Sequence, residues 1–222
     1  MRYRTWEPTY KEILKDFGFE RENDDRAARE ASKIISYKCS NGKGTKETIK
    51  NLLKGKAAII CGNAPCLEND IREKRLDSDI LPFRHKPVVI AADGATSVLL
   101  RNAVIPDIVV TDLDGNIADI IYANRLGSII VVHAHGDNIG MLENVLPVLK
   151  ENVVCTTQSR PLRNVYNFGG FTDGDRCVFL AKEFGAERIE LIGFDFEDKN
   201  VSARKRKKLR EGGAIRGQDK KK

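Results

Sequence analysis

Two aspartates, Asp112 and Asp114, directly follow an apolar run at residues 108–110, and Gly115 comes immediately after them. Because side chains alternate along an extended segment, residues two positions apart should point to the same side. Two carboxylates held that close repel each other unless a cation lies beside them. Mg²⁺ is bound by one or two carboxylates together with the phosphates of a substrate. The spacing therefore predicts a Mg²⁺ site at Asp112 and Asp114, with Asp93 as a third ligand.

The same stretch also fits a purely structural role. Asp114 and Asn116 could cap the helix that is predicted to follow, with Asp112 simply exposed to water. Gly115 would allow another group to approach the start of that helix closely, and the amides there favour anions. Metal binding and helix capping are therefore both open for this stretch.

A second cluster, HAHGDN at residues 133–138, carries two imidazoles on one side of the chain. His133 and His135 could accept a proton or supply charge near a phosphate. A His-x-His pair followed by an aspartate also resembles a transition-metal ligand set. Alternatively, Asp137 or Asn138 caps the next helix and the histidines only form hydrogen bonds. The sequence predicts that this cluster contacts a ligand if it lies at the same edge as the aspartates.

A third cluster, NFGGFTDGDRC at residues 167–177, combines glycines, acids and an arginine. Thr172 and Asp175 have the spacing of a helix capping box. Asp173, Asp175 and Arg176, behind a flexible Gly-Gly pair, could instead form a clamp for a substrate. Capping and substrate binding are both compatible with these residues.

These clusters need a scaffold, which hydrophobic patterning supplies. Short β-branched runs occupy residues 57–61, 87–92, 108–111, 128–132, 153–156 and 188–193, and helical patterns occupy residues 68–76, 96–103, 117–125, 138–149 and 173–184. Apolar runs without polar alternation predict strands covered on both faces. The alternation of strands and helices predicts an α/β fold with a mostly parallel sheet of about six strands and flanking helices. We expect an N-terminal helical segment at 1–55, an α/β domain at 56–198 and a basic C-terminal tail at 199–222.

The carboxyl ends of the predicted strands are the expected site, because ligands bind there in open parallel sheets. Each of these ends is polar, and most carry glycine. The candidates for binding a phosphate-bearing ligand are Gly62, Asn63, Ala64, Pro65, Asp93, Gly94, Ala95, Thr96, Gly115 and Asn138. The loop at 62–65 matches neither GxGxxG nor the P-loop pattern, so neither a dinucleotide fingerprint nor a P-loop is supported.

Charge and composition restrict the class of protein. Residues 199–222 carry eleven Lys or Arg against two acids, a formal charge of +9, so the remaining residues sum to −3 of the total +6. The basic balance therefore describes the tail, and we do not expect a nucleic-acid-binding body. Five cysteines without a CxxC pair predict reduced thiols in a cytoplasmic protein. Apolar runs of about five to seven residues predict no membrane span, which needs roughly 18 to 20.

The segments AADGAT, PDIVVTDLDG, HAHGDN, GFTDGDRC and LIGFDF resemble the archaeal 6-hydroxymethyl-7,8-dihydropterin diphosphokinases. These enzymes are distantly similar to the catalytic domain of thiamine diphosphokinases, and the resemblance covers about residues 55–198. It implies transfer of diphosphate from ATP to the pterin hydroxymethyl group, with Mg²⁺, release of AMP and small molecules as partners. A thiamine-type diphosphokinase is an alternative. So is a glycosyltransferase that uses a nucleotide sugar, because the wider family includes proteins linked to bacterial motility and flagellin glycosylation.

The resemblance also implies roles for the candidate residues. The paired aspartates and Asp93 would hold Mg²⁺, and glycines 62, 94 and 115 would cradle the phosphates of ATP. In the HAHGDN segment histidines replace acids of the thiamine enzymes, and one of His133, His135 or Asp137 would deprotonate or orient the hydroxyl group. The residues that we expect to line the substrate side of the site are Thr172, Asp173, Asp175, Arg176 and Asp195. The amphipathic N-terminal segment could pack in a homodimer.

Overall fold

The structure, a computed structural model, describes residues 3–38, 42–76 and 86–195 of the chain. Three helices come first, and strands and helices then alternate. The helices are α1 (Tyr3–Phe17), α2 (Arg21–Lys38), α3 (Gly42–Leu53), α4 (Leu67–Lys74), α5 (Ala95–Arg101), α6 (Ile117–Arg125), α7 (Ile139–Val145), continued by a 3₁₀ turn at Leu146–Val148, and α8 (Asp173–Glu183). The strands are β1 (Ala57–Cys61), β2 (Val88–Ala92), β3 (Ile108–Thr111), β4 (Ile129–Ala134), β5 (Val153–Thr157), β6 (Val165–Tyr166) and β7 (Arg188–Ile192).

The described strands form one parallel sheet in the order β6-β5-β4-β3-β2-β1-β7. From β1 to β6 the chain advances across the sheet in one direction, and it then returns to place β7 beside β1. Since crossovers between parallel strands are right-handed, the returning helix α8 must lie on the face opposite α4 to α7. This return brings the start of α8 over the middle of the sheet, against β1, β2 and β3.

Both faces of the sheet are buried by helices. On β3, Val109 belongs to the cluster that packs against α2 and α4 to α7, whereas Ile108 and Val110 belong to the cluster with α3 and α8. Successive strand residues therefore enter opposite cores, which explains why the strands are continuous apolar runs. The predicted α/β fold with a parallel sheet is confirmed.

The observed sheet has seven described strands, against about six predicted. The additional strand, β6, has two residues, which pair with Cys155 and Thr156 of β5. A run that short carries no readable periodicity, so the pattern could not reveal it.

The N-terminal helices pack directly on this sheet. Helix α2 buries Ala27, Ala28 and Ala31 in the core, and such small side chains allow the helix to approach the sheet closely. Helix α1 packs through an aromatic cluster that contains Trp6 and Tyr10. The division at residues 55/56 and 198/199 stays a prediction, and the basic tail at 199–222 lies outside the described residues. No described helix is long and apolar enough to cross a membrane.

Candidate active site at the carboxyl edge of the sheet

Three carboxylates meet at the carboxyl edge of the sheet. Asp93 follows β2, Asp112 follows β3 and Asp173 begins α8, and one ligand oxygen from each lies within 4.8 Å of the others. We call these three residues the carboxylate triad. The sequence had assigned Asp173 to the substrate side, and the structure places it beside two of the three predicted metal ligands.

Asp93 is fixed by its backbone and by a neighbouring hydroxyl. Its φ of 36° is left-handed, and its N–H donates to the Val110 carbonyl at 2.8 Å. The Thr111 hydroxyl donates to Asp93 Oδ2 and accepts the Leu113 N–H at 2.8 Å. Asp93 Oδ1 lies against Gly115, where an added Cβ would come within 1.7 Å of it. Gly115 therefore leaves the space that the Asp93 carboxylate occupies.

We expect Gly115→Ala to disrupt the triad, because a methyl group cannot share the space of a carboxylate oxygen. Asp93 must then rotate away or the β3–α6 loop must shift, and displacements of about 1 Å near reacting groups cost about 100-fold in rate. The measurement is kcat for the AMP release that the sequence resemblance implies, with Gly127→Ala as the control for adding a methyl group. A Cβ at Gly127 meets nothing within 4 Å, although its φ of 114° adds backbone strain. Full activity in Gly115→Ala would show that the position of Asp93 is not required.

The backbone between Asp112 and Asp114 is not extended. Leu113 has a φ of 68° and is only 2% exposed, so it turns into the core and ends the alternation of side chains. Asp112 is partly buried, whereas Asp114 is exposed and is not one of the triad. The backbone is therefore not extended as the argument from alternation assumes, but the Asp112 and Asp114 carboxyl groups still lie close enough for a side-chain hydrogen bond, which helps to lower the pKa of Asp112. A metal-binding role for Asp114 stays a prediction. Asn116 caps α6, accepting N–H groups from Ala118 and Asp119, as one interpretation had it.

The triad carries more negative charge than its surroundings balance. Burial raises the pKa of Asp93 to about 6, opposed by the Thr111 hydrogen bond and assisted by the charges of Asp114 and Asp112. Burial and the neighbouring carboxylates also raise the pKa of Asp173, and the Arg176 guanidinium opposes this rise. Arg176 Nη1 lies 3.0 Å from Asp173 Oδ1. One guanidinium does not neutralise three carboxylates, so the donor set suits a divalent cation.

His135 is held beside the triad. Its Nε2 lies 3.4 Å from Asp112 Oδ2, and its Nδ1 is the acceptor for the Asp137 N–H at 3.5 Å. Burial would raise the pKa of Asp112, but the His135 hydrogen bond and the Arg176 charge outweigh it, and the pKa is lowered. Asp112 is therefore the triad member that stays charged most readily.

His133 lies behind His135 and away from solvent. It is 2% exposed, and its Nδ1 lies 3.1 Å from the Thr156 hydroxyl. Burial holds the pKa of His133 well below its ordinary value, so the ring is neutral. Asn138 joins these elements, because its Nδ2 donates to the carbonyls of Asp112 and His133. No side-chain capping bond of Asn138 to α7 is formed.

An acidic residue of α2 ties the N-terminal helices to this edge. Asp24 is 4% exposed and accepts three hydrogen bonds. The donors are the Tyr10 hydroxyl at 2.7 Å, Gln158 Nε2 at 2.8 Å and the Gly136 N–H at 2.9 Å. On the sequence Asp24 was only one of several acids in the first turn of a predicted helix, and no local signal distinguished it from its neighbours.

A cleft of about 270 Å³ lies between the sheet edge and the N-terminal helices. We call it the N-terminal cleft. The sheet side contributes Asp112, His135, Gly136, Asp137, Gln158 and Arg176. The N-terminal side contributes Gly18, Phe19, Glu20, Asn23 and Asp24, and Phe171 also lines the cleft. The candidate catalytic residues that line it are thus Asp112, His135 and Asp137.

Comparison with known proteins decides the family. A family model described as "6-hydroxymethylpterin diphosphokinase MptE-like" matches residues 37–201, more than half of the chain. The chain belongs to this MptE-like family. The resemblance seen in the sequence motifs is thereby confirmed.

Two curated relatives of this MptE-like chain illustrate the match. The 6-hydroxymethyl-7,8-dihydropterin pyrophosphokinase of Methanothermobacter thermautotrophicus is 44% identical over 88% of this chain and 79% of that protein. The protein of the same name from Pyrococcus furiosus is 42% identical over 88% of this chain and 79% of its own length. Among solved structures, a MAf glycosyltransferase from Magnetospirillum magneticum AMB-1 aligns with a TM-score of 0.42 and 17% identity, covering 73% of this chain and 29% of that one. A likeness that weak supports no conclusion.

The other predicted residues of the MptE-like chain lie outside the N-terminal cleft. The loop at 62–65 lies beside the β2 loop, where a Cβ on Gly94 would come within 2.5 Å of Asn63 Nδ2. Thr96 is buried at the start of α5. Thr172 and Asp175 form the capping box of α8, the interpretation that the spacing had left open. Asp195 follows β7, three strands away from β3, which is roughly 14 Å at ordinary strand spacing.

Proposed function

We propose that the chain transfers the β,γ-diphosphoryl group of ATP to the hydroxymethyl oxygen of 6-hydroxymethyl-7,8-dihydropterin and releases AMP. The observation that carries this proposal is 40–44% identity, over 88% of the chain, to curated proteins with that pyrophosphokinase name. The site supports it independently, since a triad of carboxylates at a sheet edge suits the phosphates of ATP together with a cation.

Mg²⁺ fits the triad by the chemistry of its donors. Asp93 Oδ1 and Asp112 Oδ1 are buried and make no hydrogen bond within the described residues. Such acceptors are costly to bury unless something satisfies them. Asp93, Asp112 and Asp173 would hold the ion, with Asp114 close by as the sequence predicts. Bound there, Mg²⁺ would neutralise charge on the phosphates during transfer.

The reaction needs one bond made, one bond broken and one proton removed. The hydroxymethyl oxygen attacks the β-phosphorus of ATP, and the bond from that phosphorus to the α,β-bridging oxygen breaks, so that AMP leaves with that oxygen. We assign the departing proton to His135 or Asp137, because both line the N-terminal cleft beside Asp112. His133 is buried behind them and would act by supporting the β4 end. Arg176 balances developing negative charge.

ATP is placed over the loops that follow β1 and β2. Gly62, Asn63 and Gly94 lie in these neighbouring loops, and β1 and β2 lie on one side of β3 while β4 and β5, which lead to residues of the N-terminal cleft, lie on the other. This arrangement would let the phosphates reach the triad from one side and the acceptor reach it from the other. Of the other candidates of that set, Ala64 and Pro65 belong to the loop after β1, and Ala95 and Thr96 begin α5 directly after the β2 loop.

The test is a product assay with ATP, Mg²⁺ and one alcohol at a time. We expect AMP and the pterin diphosphate, identified by mass spectrometry, from 6-hydroxymethyl-7,8-dihydropterin, and at least about 100-fold less product from thiamine. A site that hydrogen-bonds one heterocycle rejects another by such factors or more, because its buried polar groups remain unpaired. AMP formation with thiamine at an equal rate, or none with the pterin, would overturn the proposal.

We also propose that the enzyme acts in the cytoplasm on small molecules and has no nucleic-acid partner. The support is the charge distribution, since residues 199–222 carry +9 while the rest of the chain sums to −3. A homodimer through the N-terminal segment stays a prediction.

A further inference from the structure

The N-terminal cleft is smaller than a nucleotide site. Pockets for drug-sized ligands enclose roughly 300 to 1,000 Å³, and this cleft encloses about 270 Å³. It therefore suits one bicyclic heterocycle better than a nucleoside triphosphate. Asp112 of the carboxylate triad also lines the cleft, so a ligand in it would reach the reacting phosphates with one arm.

Aromatic rings form one wall of the cleft. Phe19 and Phe171 both line it, and Phe17 links them with ring centroids 5.6 Å from Phe19 and 5.0 Å from Phe171. Phe19 is only half-buried, which leaves part of its surface available for contact with a flat ring.

A carboxylate follows Phe19 directly in the chain and lines the same cleft. Glu20 is exposed, lines the cleft, and receives the Asn23 side-chain N–H at Oε2 over 3.5 Å. A carboxylate offers only acceptors, and the amino-pyrimidinone edge of a pterin presents two adjacent N–H donors. A guanidine-like edge of this kind can donate to both oxygens of one carboxylate.

This inference rests on the proposed function. We propose that the N-terminal cleft binds the alcohol that accepts the diphosphate, and that residues 18–23 determine which alcohol is accepted. The heterocycle lies against Phe19 and Phe171, its amino edge donates to Glu20, and its hydroxymethyl arm points to Asp112. Residues 18–23 precede the part of the chain, 37–201, that the family model matches. The N-terminal helices are thus part of the active site in addition to their packing role.

The test uses Glu20→Gln and Phe19→Ala in the full chain, with Glu22→Gln as the matched control. Glu22 is exposed in the first turn of α2, two residues after Glu20, and does not line the cleft. We expect KM for the pterin alcohol to rise about tenfold in Glu20→Gln, as for loss of one hydrogen bond to a charged group, and about tenfold in Phe19→Ala, from loss of the ring contact. KM for ATP should stay within about twofold, and the control should match the parent. Glu20→Gln keeps the size of the side chain, so it remains informative even if Phe19→Ala folds poorly.

A second measurement separates this inference from the proposed function. Quenching of pterin fluorescence by the protein without ATP gives Kd directly, and we expect Glu20→Gln to weaken Kd by the same factor as KM. If the parent forms no AMP with the pterin, the proposed function fails, and the titration still decides whether the ring binds beside Glu20. An unchanged pterin Kd in both test variants, or a rise of KM for ATP instead, would overturn the inference.

Discussion

Replacing Asp112 with asparagine is expected to lower kcat for AMP formation by about a thousandfold or more while the chain stays folded. Asp112 is the triad member whose pKa is lowered, because His135 and Arg176 outweigh the effect of its burial. It also joins the triad to the N-terminal cleft. Removing one preorganised group that stabilises transition-state charge costs about 10² to 10³ in kcat, and loss of the cation would add to that.

Thermal unfolding distinguishes loss of the metal from loss of the fold. An ion at about 100 times its Kd stabilises the folded state by about 2.7 kcal/mol. At about 2 to 4 °C per kcal/mol for a chain of this size, the parent should gain roughly 5 to 10 °C in Tm with saturating Mg²⁺. Asp112→Asn should gain almost nothing from Mg²⁺, because asparagine replaces a charged ligand with a neutral amide. A full Mg²⁺-dependent gain in this variant would contradict the assignment of Asp112 as a ligand.

Two further variants, Asp114→Asn and Asp16→Asn, make the same change of charge as Asp112→Asn at other positions. Asp114 is exposed and is not one of the triad, so we expect a loss of only about tenfold in kcat from the weaker electrostatic attraction of the ion. Asp16 is exposed in α1 and does not line the N-terminal cleft, and its variant should keep parental activity. If Asp114→Asn is as inactive as Asp112→Asn, Asp114 is a metal ligand as the sequence predicts.

The fold could be predicted because the strands β1 to β5 are buried on both faces. Burial on both faces produces unbroken apolar runs, such as residues 108–110, that stand out between helical patterns. The periodicity does not reveal strand order, because the return of the chain through α8 depends on packing between distant segments. The structure places β7 beside β1, and this decides that Asp195 lies far from Asp112.

The site could be predicted in part for a related reason. Asp93 and Asp112 end adjacent strands, and any parallel sheet in that order brings them together. The position of Asp173 beside them could not be predicted, because it depends on the crossover that packs α8 against β1, β2 and β3. The argument from alternation assumed an extended backbone at residues 112–114, whereas Leu113 adopts a left-handed conformation that a non-glycine residue rarely takes. Hydrophobic pattern carries no information about such a turn.

The second large effect that we expect is a loss of stability when Asp24 is replaced. Asp24→Ala leaves three donors without their acceptor, namely the Tyr10 hydroxyl, Gln158 Nε2 and the Gly136 N–H. An unsatisfied buried donor costs about 1 to 3 kcal/mol, and water entering the space would recover part of that loss. We expect the free energy of unfolding to fall by about 3 kcal/mol and Tm to fall by roughly 6 to 12 °C, measured by calorimetry. The control Glu22→Ala, at an exposed position two residues before Asp24, should change stability by less than about 0.5 kcal/mol.

A double-mutant cycle with Tyr10→Phe shows whether the effect passes through the hydrogen bonds. Burial and the hydrogen bond to Asp24 raise the pKa of Tyr10, so its hydroxyl stays protonated and acts as a donor. Tyr10→Phe alone should cost about 1 kcal/mol. In the Asp24→Ala background it should cost almost nothing or stabilise, because the phenylalanine then removes a donor that has no acceptor. Additive losses in the two variants would mean that Asp24 stabilises the N-terminal helices by other contacts, since residues that share a hydrogen bond show coupling of about 0.5 to 3 kcal/mol.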